Sequence, residues 1–409
     1  MSPSALRATT APGRLVRRYV DIRAHTGALV TPLSAEDCAL QSMPDASPAK
    51  WHLAHTTWFF ETFVLAPHRP GYRVFDPAFR ALFNSYYDAV GERHPRPERG
   101  MLSRPDLATV FAYRAHVDRA MLRCLDLAAA DRALESLIEL GLHHEQQHQE
   151  LILTDALHLL SRNPRRPAYA PDAPITQAAG SGAPQWLPIP GGIVAIGHDG
   201  AGFAFDNEMP AHRVLLEAFE LASRPVTNGE YAAFVEDGGY RRPECWLALG
   251  WDTACSGQWS APLYWERRDA GWHEFTLRGM AVLDPDAPVA HLSYFEADAY
   301  ARWAQARLPT EFEWEAAMRR ERDAGAVLHA GEVWEWTSSS YAPYPRFRPA
   351  AGAVGEYNGK FMCNQYVLRG GSVATPAGHA RVTYRNFFAP DARWQFSGVR
   401  LARDVAQEA

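Results

Sequence analysis

Residues 142–158, LHHEQQHQELILTDALH, decide how the chain is read. Glu, Gln and Leu dominate, and neither Gly nor Pro interrupts the stretch, so a helix is predicted. His144 and His148 stand four positions apart. At about 100° per residue they lie roughly 40° apart on one face, one turn above the other. That is how a helix offers two imidazoles to one metal ion. His143 lies about 100° from His144, and Glu150 roughly 240° around, so neither completes a ligand set from this helix. Gln147 flanks the metal-facing side. The same spacing also occurs as a solvated polar stripe on an amphipathic helix, and by itself it does not separate the two readings.

The segments before it read as helices that could supply a third ligand. Residues 15–29 form the first. Ser47-Pro48 opens the second, SPAKWHLAHTTWFFETFVL, with Ser as N-cap and Pro in the first turn. Its density of Trp and Phe predicts a buried helix, and a buried His52 or His55 needs a partner, either a metal or a backbone carbonyl. Residues 79–90, FRALFNSYYDAV, are a shorter segment with adjacent Tyr86 and Tyr87. The loop GERHPRPERGMLSRP carries Arg93, Arg96, Arg99 and Arg104. It is either a solvated basic loop or a clamp for a carboxylate, whose shape the guanidinium fork matches. Residues 107–127 and 131–160 are further helices. Four long helices suggest an antiparallel bundle over residues 1–165, and bundles build metal sites from facing helices. Residues 166–185 are rich in Pro, Ala, Gly and Ser and read as a linker. Residues 186–405 change texture, with short β-like runs (GGIVAIG, HRVLLEAFEL, WHEFTLRG, QYVLRGGSV) between long loops and helical pieces at 227–234 and 294–307. This predicts an α+β domain.

Composition sets the outer bounds. A chain of 409 residues exceeds one ordinary core, so two domains are expected. Apolar residues make up 47% and charged residues 22%, the balance of a soluble globular protein. A net charge of −6 argues against nucleic acid as a partner. The five cysteines are scattered and form no CxxC pair, which fits a reducing cytoplasm. No apolar run approaches the roughly 20 residues of a membrane span, so no membrane partner is expected. The basic start, MSPSALRATTAPGRLVRR, is followed by no apolar core and reads as a disordered terminus rather than a targeting peptide.

Longer motifs carry a family resemblance. SPAKWHLAHTTWFFE, FNSYYDAVGERHPRP and LHHEQQHQEL resemble the DinB-like four-helix bundle of the ergothioneine-pathway sulfoxide synthases called EgtB. DNEMPAHRV, RPVTNGEYAAF, RLPTEFEWEAA, GEVWEWTSS, GEYNGKFMCNQYVLRGGS and TYRNFFAPDARWQFSGVRLAR resemble the formylglycine-generating-enzyme-type, C-type-lectin-like domain. NSYY resembles the branch that uses free cysteine rather than γ-glutamylcysteine. The resemblance implies a cytoplasmic enzyme with a non-haem Fe(II) cofactor held by His55, His144 and His148. His52, His143 and Glu150 then pack or support. It implies that Tyr86 and Tyr87 stand beside the iron, with Tyr87 favoured as proton donor. Gln147 would face the substrate imidazole. Asn386, Phe387 and Phe388, with Trp394, would close over a trimethylammonium, which aromatic faces recognise because its nitrogen offers no N–H. Arg93, Arg96 and Arg99 would line the donor pocket.

The activity so implied joins a cysteine-type thiol to C2 of the imidazole of hercynine (N-α-trimethylhistidine) with O₂, leaving a sulfoxide. Three neutral imidazoles suit this chemistry. The common iron triad has two His and one carboxylate, so this site lacks a negative charge that a thiolate could bring. Two departures stand out. No reactive Cys occupies LRGGSVATP or TYRNFF, so formylglycine chemistry is not expected. Val373 stands where the sulfur enzymes carry Cys, which leaves the selenoneine synthases, with a selenosugar donor, as an alternative. A DinB-type metal-dependent thiol transferase and a non-catalytic lectin-like module are the remaining readings.

Overall fold

The computed structural model describes residues 11–128, 131–177, 182–268, 271–323 and 330–405. The chain divides into two compact units, Met1–Leu159 and Leu160–Ala409.

The first unit is helical: α1 (Ala11–Leu29), α2 (Ala49–Phe59), α3 (Ala66–His68), α4 (Phe79–Leu82), α5 (Leu107–Ala128) and α6 (Arg132–Ser161). Every residue of α2 is buried, the polar Lys50, His52, His55, Thr56 and Thr57 included. A π-helical turn, Phe60–Leu65, joins α2 to α3, so 49–68 is one rod with a widened turn in it. Such turns tend to mark functional helices. The rod passes close against α6 at Gly141. A Cβ there would stand 2.7 Å from the Phe60 ring and 2.8 Å from the Phe59 ring, so a residue poor for helix propensity is required by packing.

One carboxylate gathers the bundle. Glu145 on α6 accepts from Arg23 on α1 at 2.9 Å and from Arg114 on α5 at 3.0 Å. Arg23 also donates to Thr57 Oγ1 on α2 at 3.0 Å, and Arg114 to the Leu53 carbonyl on α2 at 3.0 Å. Asp118 accepts from Arg23 and from the Tyr19 hydroxyl. Burial alone would raise the Glu145 pKa, but Arg23 and Arg114 outweigh it and hold the group down at about 2.

The second unit begins with β1 (Trp186–Ile189), β2 (Gly192–Ile196), β3 (His212–Leu216) and β4 (Phe219–Ala222). Helices α7 (Asn228–Glu236) and α8 (Ala248–Ser256) follow, then β5 (Trp265–Arg268), β6 (Gly271–Thr276) and β7 (Gly279–Val282). After α9 (Tyr294–Trp303) and α10 (Glu311–Asp323) come β8 (Trp334–Ser340), β9 (Tyr366–Arg369), β10 (Asn386–Phe388), β11 (Ser397–Gly398) and β12 (Ala402–Asp404). The sheets run β1-β4-β12, β10-β9-β8-β11, β2-β3 and β5-β6-β7. Ile189, Leu216, Phe219, Leu221 and Ala402 pack with Ala317 of α10 as one core. Buried ion pairs brace the rest. Arg400 donates to both oxygens of Glu335, and Glu311 accepts from Arg369 and Arg385.

Several expectations change. Ser47 does not cap α2; the cap position is Pro48, which has no side-chain acceptor. The Ser47 hydroxyl instead accepts from Arg99 at 2.9 Å, and its N–H donates to Asp155 at 2.8 Å. Residues 79–90 hold only the short α4 and a 3-10 turn at Asp88–Val90, because Asn84 draws the chain between them into a loop. Its amide donates to the carbonyls of Tyr87 and Gly91 while its oxygen accepts from the Tyr87 N–H. Residues 11–18 of the start expected to lack order belong to α1, while 1–10 lie outside the described residues. Part of the expected linker is tied down: the N–H groups of Tyr169 and Ala170 donate to the Leu277 carbonyl, and Arg278 donates to the Ala173 carbonyl. Residues 178–181 of it lie outside the described residues. Helices α8 and α10 were not anticipated, although Thr310 and Glu313 form a reciprocal cap before α10 that TEFE spells out. No described helix is long and apolar enough to cross a membrane.

Replacing Glu145 by Gln should destabilise the fold by about 3–5 kcal/mol, since it leaves two buried guanidinium groups short of their counter-charge. Urea denaturation at neutral pH measures this. The contribution is fully present above the ordinary carboxylate pKa and is lost as pH falls toward about 2.

Candidate metal centre

α2 and α6 bring three imidazoles to one point. A ligand nitrogen of each of His55, His144 and His148 lies within 4.8 Å of those of the other two, and all three residues are buried. The ring centroids are 4.9 Å apart for His55–His144 and for His55–His148, and 4.6 Å for His144–His148. The pair on α6 is the same-face HxxxH, and the third ring comes from the middle of α2. His55, not His52, is the member of α2 in this cluster of three.

Each ring's other nitrogen matters as much. His55 Nδ1–H donates to the Phe83 carbonyl at 2.6 Å, which leaves its Nε2 with a lone pair. That Nε2 is buried and has no hydrogen-bond partner among the described residues. A buried acceptor without a partner is rare unless something absent from the protein completes it. His148 Nδ1 meets His52 Nδ1 at 2.7 Å, and His52 Nε2 meets Asp155 Oδ2 at 3.1 Å. Trp51 and Trp58 both lie nearly parallel to His55, at 4.6 Å and 5.5 Å between centroids. The donor set, three buried imidazoles with no carboxylate among them, fits a divalent transition metal such as Fe(II) or Zn(II).

Burial, reinforced by His52, pushes the His144 pKa down to about 3 against the pull of Glu145. Burial and the neighbouring imidazoles also hold His55 and His148 well below the ordinary range, and Arg99 acts in the same direction. All three therefore present lone pairs at neutral pH, as metal binding requires.

The other expected site residues are placed unevenly. The Arg99 guanidinium lies 3.4 Å from the Trp51 ring centroid and donates to Ser85 Oγ at 3.0 Å. Burial, with Arg96 and Arg93 nearby, lowers its pKa to about 9. Arg93 is half exposed and pairs with Asp88, while Arg96 donates to the Asp45 carbonyl. Only one of the three arginines thus adjoins the imidazoles. Tyr86 and Tyr87 stack at 4.6 Å and 30°. This segment is a loop, so the roughly 100° between neighbours on a helix does not apply to them. Tyr87 is buried and packs on Trp58, so it is one ring removed from His55. Gln147 is half-buried on α6. His143 accepts from Arg18 of α1, away from the cluster.

In the second unit Asn386, Phe387 and Phe388 form β10, an edge strand. Phe387 stacks on Tyr341 at 4.1 Å, and Phe388 meets Trp394 edge-on at 6.4 Å. The residue that sequence reasoning missed is Asp155. Its signal was present: seven positions after His148, it falls on nearly the same face of α6.

Known proteins align with this architecture. The DinB superfamily matches residues 18–152, and the family described as Sulfatase-modifying factor enzyme 1-like domain matches 172–326 and 320–405. A hercynine oxygenase from Mycolicibacterium thermoresistibile is 35% identical over 96% of this chain and 95% of its own length. One from Mycobacterium tuberculosis is 34% identical over 97% and 100%. The chain belongs to the hercynine oxygenase family. A formylglycine-generating enzyme from Streptomyces coelicolor is 28% identical over 53% of this chain and 88% of its own length. The family membership carries the two-part fold class, a DinB-like helical unit followed by a mixed unit of the formylglycine-generating-enzyme type.

Substituting His55, His144 or His148 by Ala should each lower divalent-metal affinity by more than the roughly 10–100-fold typical of losing a supporting residue. Isothermal titration with Co(II) measures it. In the metal-free protein, stability should fall as pH drops below about 6.5 toward 3, because unfolding lets these imidazoles protonate. Denaturant midpoints between pH 7.5 and 4 test the sign.

Proposed function

We propose that this chain joins a cysteine-type thiol to C2 of the imidazole of hercynine, with O₂ as oxidant, and releases the sulfoxide. The observation that carries the reading is the buried three-imidazole cluster, with its lone pair on His55, in a member of the hercynine oxygenase family. The stoichiometry balances. The thiol S–H and the imidazole C2–H supply two hydrogens, one oxygen atom ends on sulfur and the other leaves as water.

His55, His144 and His148 would hold Fe(II), which when bound supplies one-electron chemistry with O₂ and open positions for ligands. The uncharged ligand set favours a thiolate as co-substrate. Arg99, buried beside Trp51, is suited to a carboxylate of the donor, since a desolvated guanidinium gains much from a bidentate anion. Gln147 would orient the hercynine imidazole. Phe387, Phe388 and Trp394 are proposed to face the trimethylammonium, with Asn386 beside them. Tyr87 is the proposed proton donor through its hydroxyl.

A second reading, C–Se bond formation from a selenosugar, rests on Val373 in the LRGGSVATP segment. A sugar donor carries no carboxylate for Arg99, so Arg99→Leu discriminates.

The test is turnover of the Fe(II)-loaded protein with hercynine, O₂ and each donor in parallel. Sulfoxide from cysteine, with none in the absence of O₂, is expected. No coupled product from any thiol would overturn the reading. Tyr87→Phe should keep metal and hercynine binding and shift products toward plain thiol oxidation, read as the ratio of sulfoxide to oxidised thiol. An unchanged ratio would return Tyr87 to a packing role.

A further inference from the structure

We propose that Asp155 fixes, through His52, the proton position on the ligand His148, so that its Nε2 always carries the lone pair. The proposal rests on the metal-binding reading above, and the geometry supports it in a chain of forced choices. Asp155 is buried, and its Oδ2 receives the Ser47 N–H at 2.8 Å and faces His52 Nε2 at 3.1 Å. A carboxylate only accepts, so His52 must carry its proton on Nε2. With its one ring proton there, His52 accepts at Nδ1. That Nδ1 lies 2.7 Å from His148 Nδ1, which must therefore be the N–H. His148 Nε2 is left bare. The opposite order, with a proton on His148 Nε2, would place two lone pairs against each other at 2.7 Å and block that nitrogen for a metal.

His52 is thus a positioning residue, one link behind a ligand, and Asp155 is two links behind. Both lie on the elements that carry the ligands. His52 is three residues before His55 on α2, and Asp155 is two turns after His148 on α6. The relay therefore also ties the two ligand-bearing helices to each other at the level of the site. His55 obtains the same ordering more simply, from the Phe83 carbonyl. That carbonyl cannot switch roles, whereas an imidazole partner can, which is why His52 needs a carboxylate behind it. Supporting carboxylates of this kind raise ligand basicity and fix ring orientation in metal sites generally.

The experiment has two readouts on the full-length protein. The first is the long-range ¹H–¹⁵N spectrum of the metal-free protein with ¹⁵N-labelled histidine, which reports the tautomer of each ring. His148 in the wild type should show its proton on Nδ1, and His52 on Nε2. The second is Co(II) affinity. Asp155→Leu and His52→Leu should each leave His148 as a tautomer mixture and weaken Co(II) binding about 10–100-fold. Asp155→Asn should stay near wild type in both, because the Ser47 N–H holds the amide oxygen where the carboxylate oxygen was. His52→Gln should recover part of the affinity by offering a carbonyl to the His148 N–H. A purely structural role predicts no split between Leu and the polar replacements. His148 protonated on Nε2 in the wild type overturns the proposal without any variant having to fold. Unchanged tautomer and affinity in both Leu variants overturn it as well. Failure of the wild type to bind Co(II) would instead defeat the metal-binding reading, while the tautomer spectrum still decides the relay.

Discussion

The helical unit depends on one buried carboxylate. Glu145 follows His144 directly, and it is the point where α1, α5 and α6 are charge-paired and, through Arg23 and Arg114, connected to α2. Two positive charges on one negative would be a poor arrangement for stability alone, since desolvation of buried ions often exceeds their attraction. Asp118 supplies the second negative charge, on Arg23. What the network does better than an apolar core is fix the rotation of α6 about its axis. A helix held only by Leu and Ile can slide or roll by a fraction of a turn. A helix whose Glu145 must meet two guanidinium groups cannot, and the adjacent His144 inherits that constraint.

The site is then built from groups that stay uncharged. Burial depresses the basicity of the three imidazoles, and no carboxylate joins them. Of the nearby charges, Arg99 on one side and Asp155 behind His52 on the other are held at one remove by an aromatic ring each, while Glu145 beside His144 is paired with Arg23 and Arg114. Such a pocket has no negative charge of its own to offer a dication. A dication held there would gain from an anionic ligand, and a thiolate is the soft anion that suits a transition metal.

Much of this was legible in sequence for a physical reason. Helical periodicity fixes which residues share a face, so HxxxH announced two imidazoles on one face of α6, and the aromatic density of SPAKWHLAHTTWFFE announced that α2 is buried. What periodicity could not give was the choice between His52 and His55. They are three apart, on neighbouring faces of one buried helix, and only the rotation of α2 against α6 decides which meets the pair. The loop at Asn84 hid for a similar reason. Its Asn side chain satisfies backbone groups that a helix would satisfy itself, and FRALFNSYYDAV carries no Gly or Pro to betray it. Asp155 could have been read at seven residues from His148, but a lone acid on an amphipathic helix usually faces water. The π-helical turn at Phe60–Leu65 has no pattern of its own that separates it from an ordinary helix.

The aromatic residues explain why the two outcomes on α2 do not interchange. Trp51 and Trp58, four before and three after His55, lie almost parallel to its ring, so the imidazole is held between indoles that exclude water and permit only one ring plane. Trp51 is also the surface that carries the Arg99 guanidinium. A shift of the indole therefore moves the His55 ring and the Arg99 guanidinium together. Ser47 completes the circuit. Its hydroxyl accepts from Arg99 and its N–H donates to Asp155, so the residue just before α2 links the cation to the acid that orders His52. An N-cap serine would have spent that hydroxyl on its own helix. Pro48 removes one amide donor from the first turn, which lessens the need for a cap and leaves Ser47 available to hold the outer groups of the site in register with the inner ones.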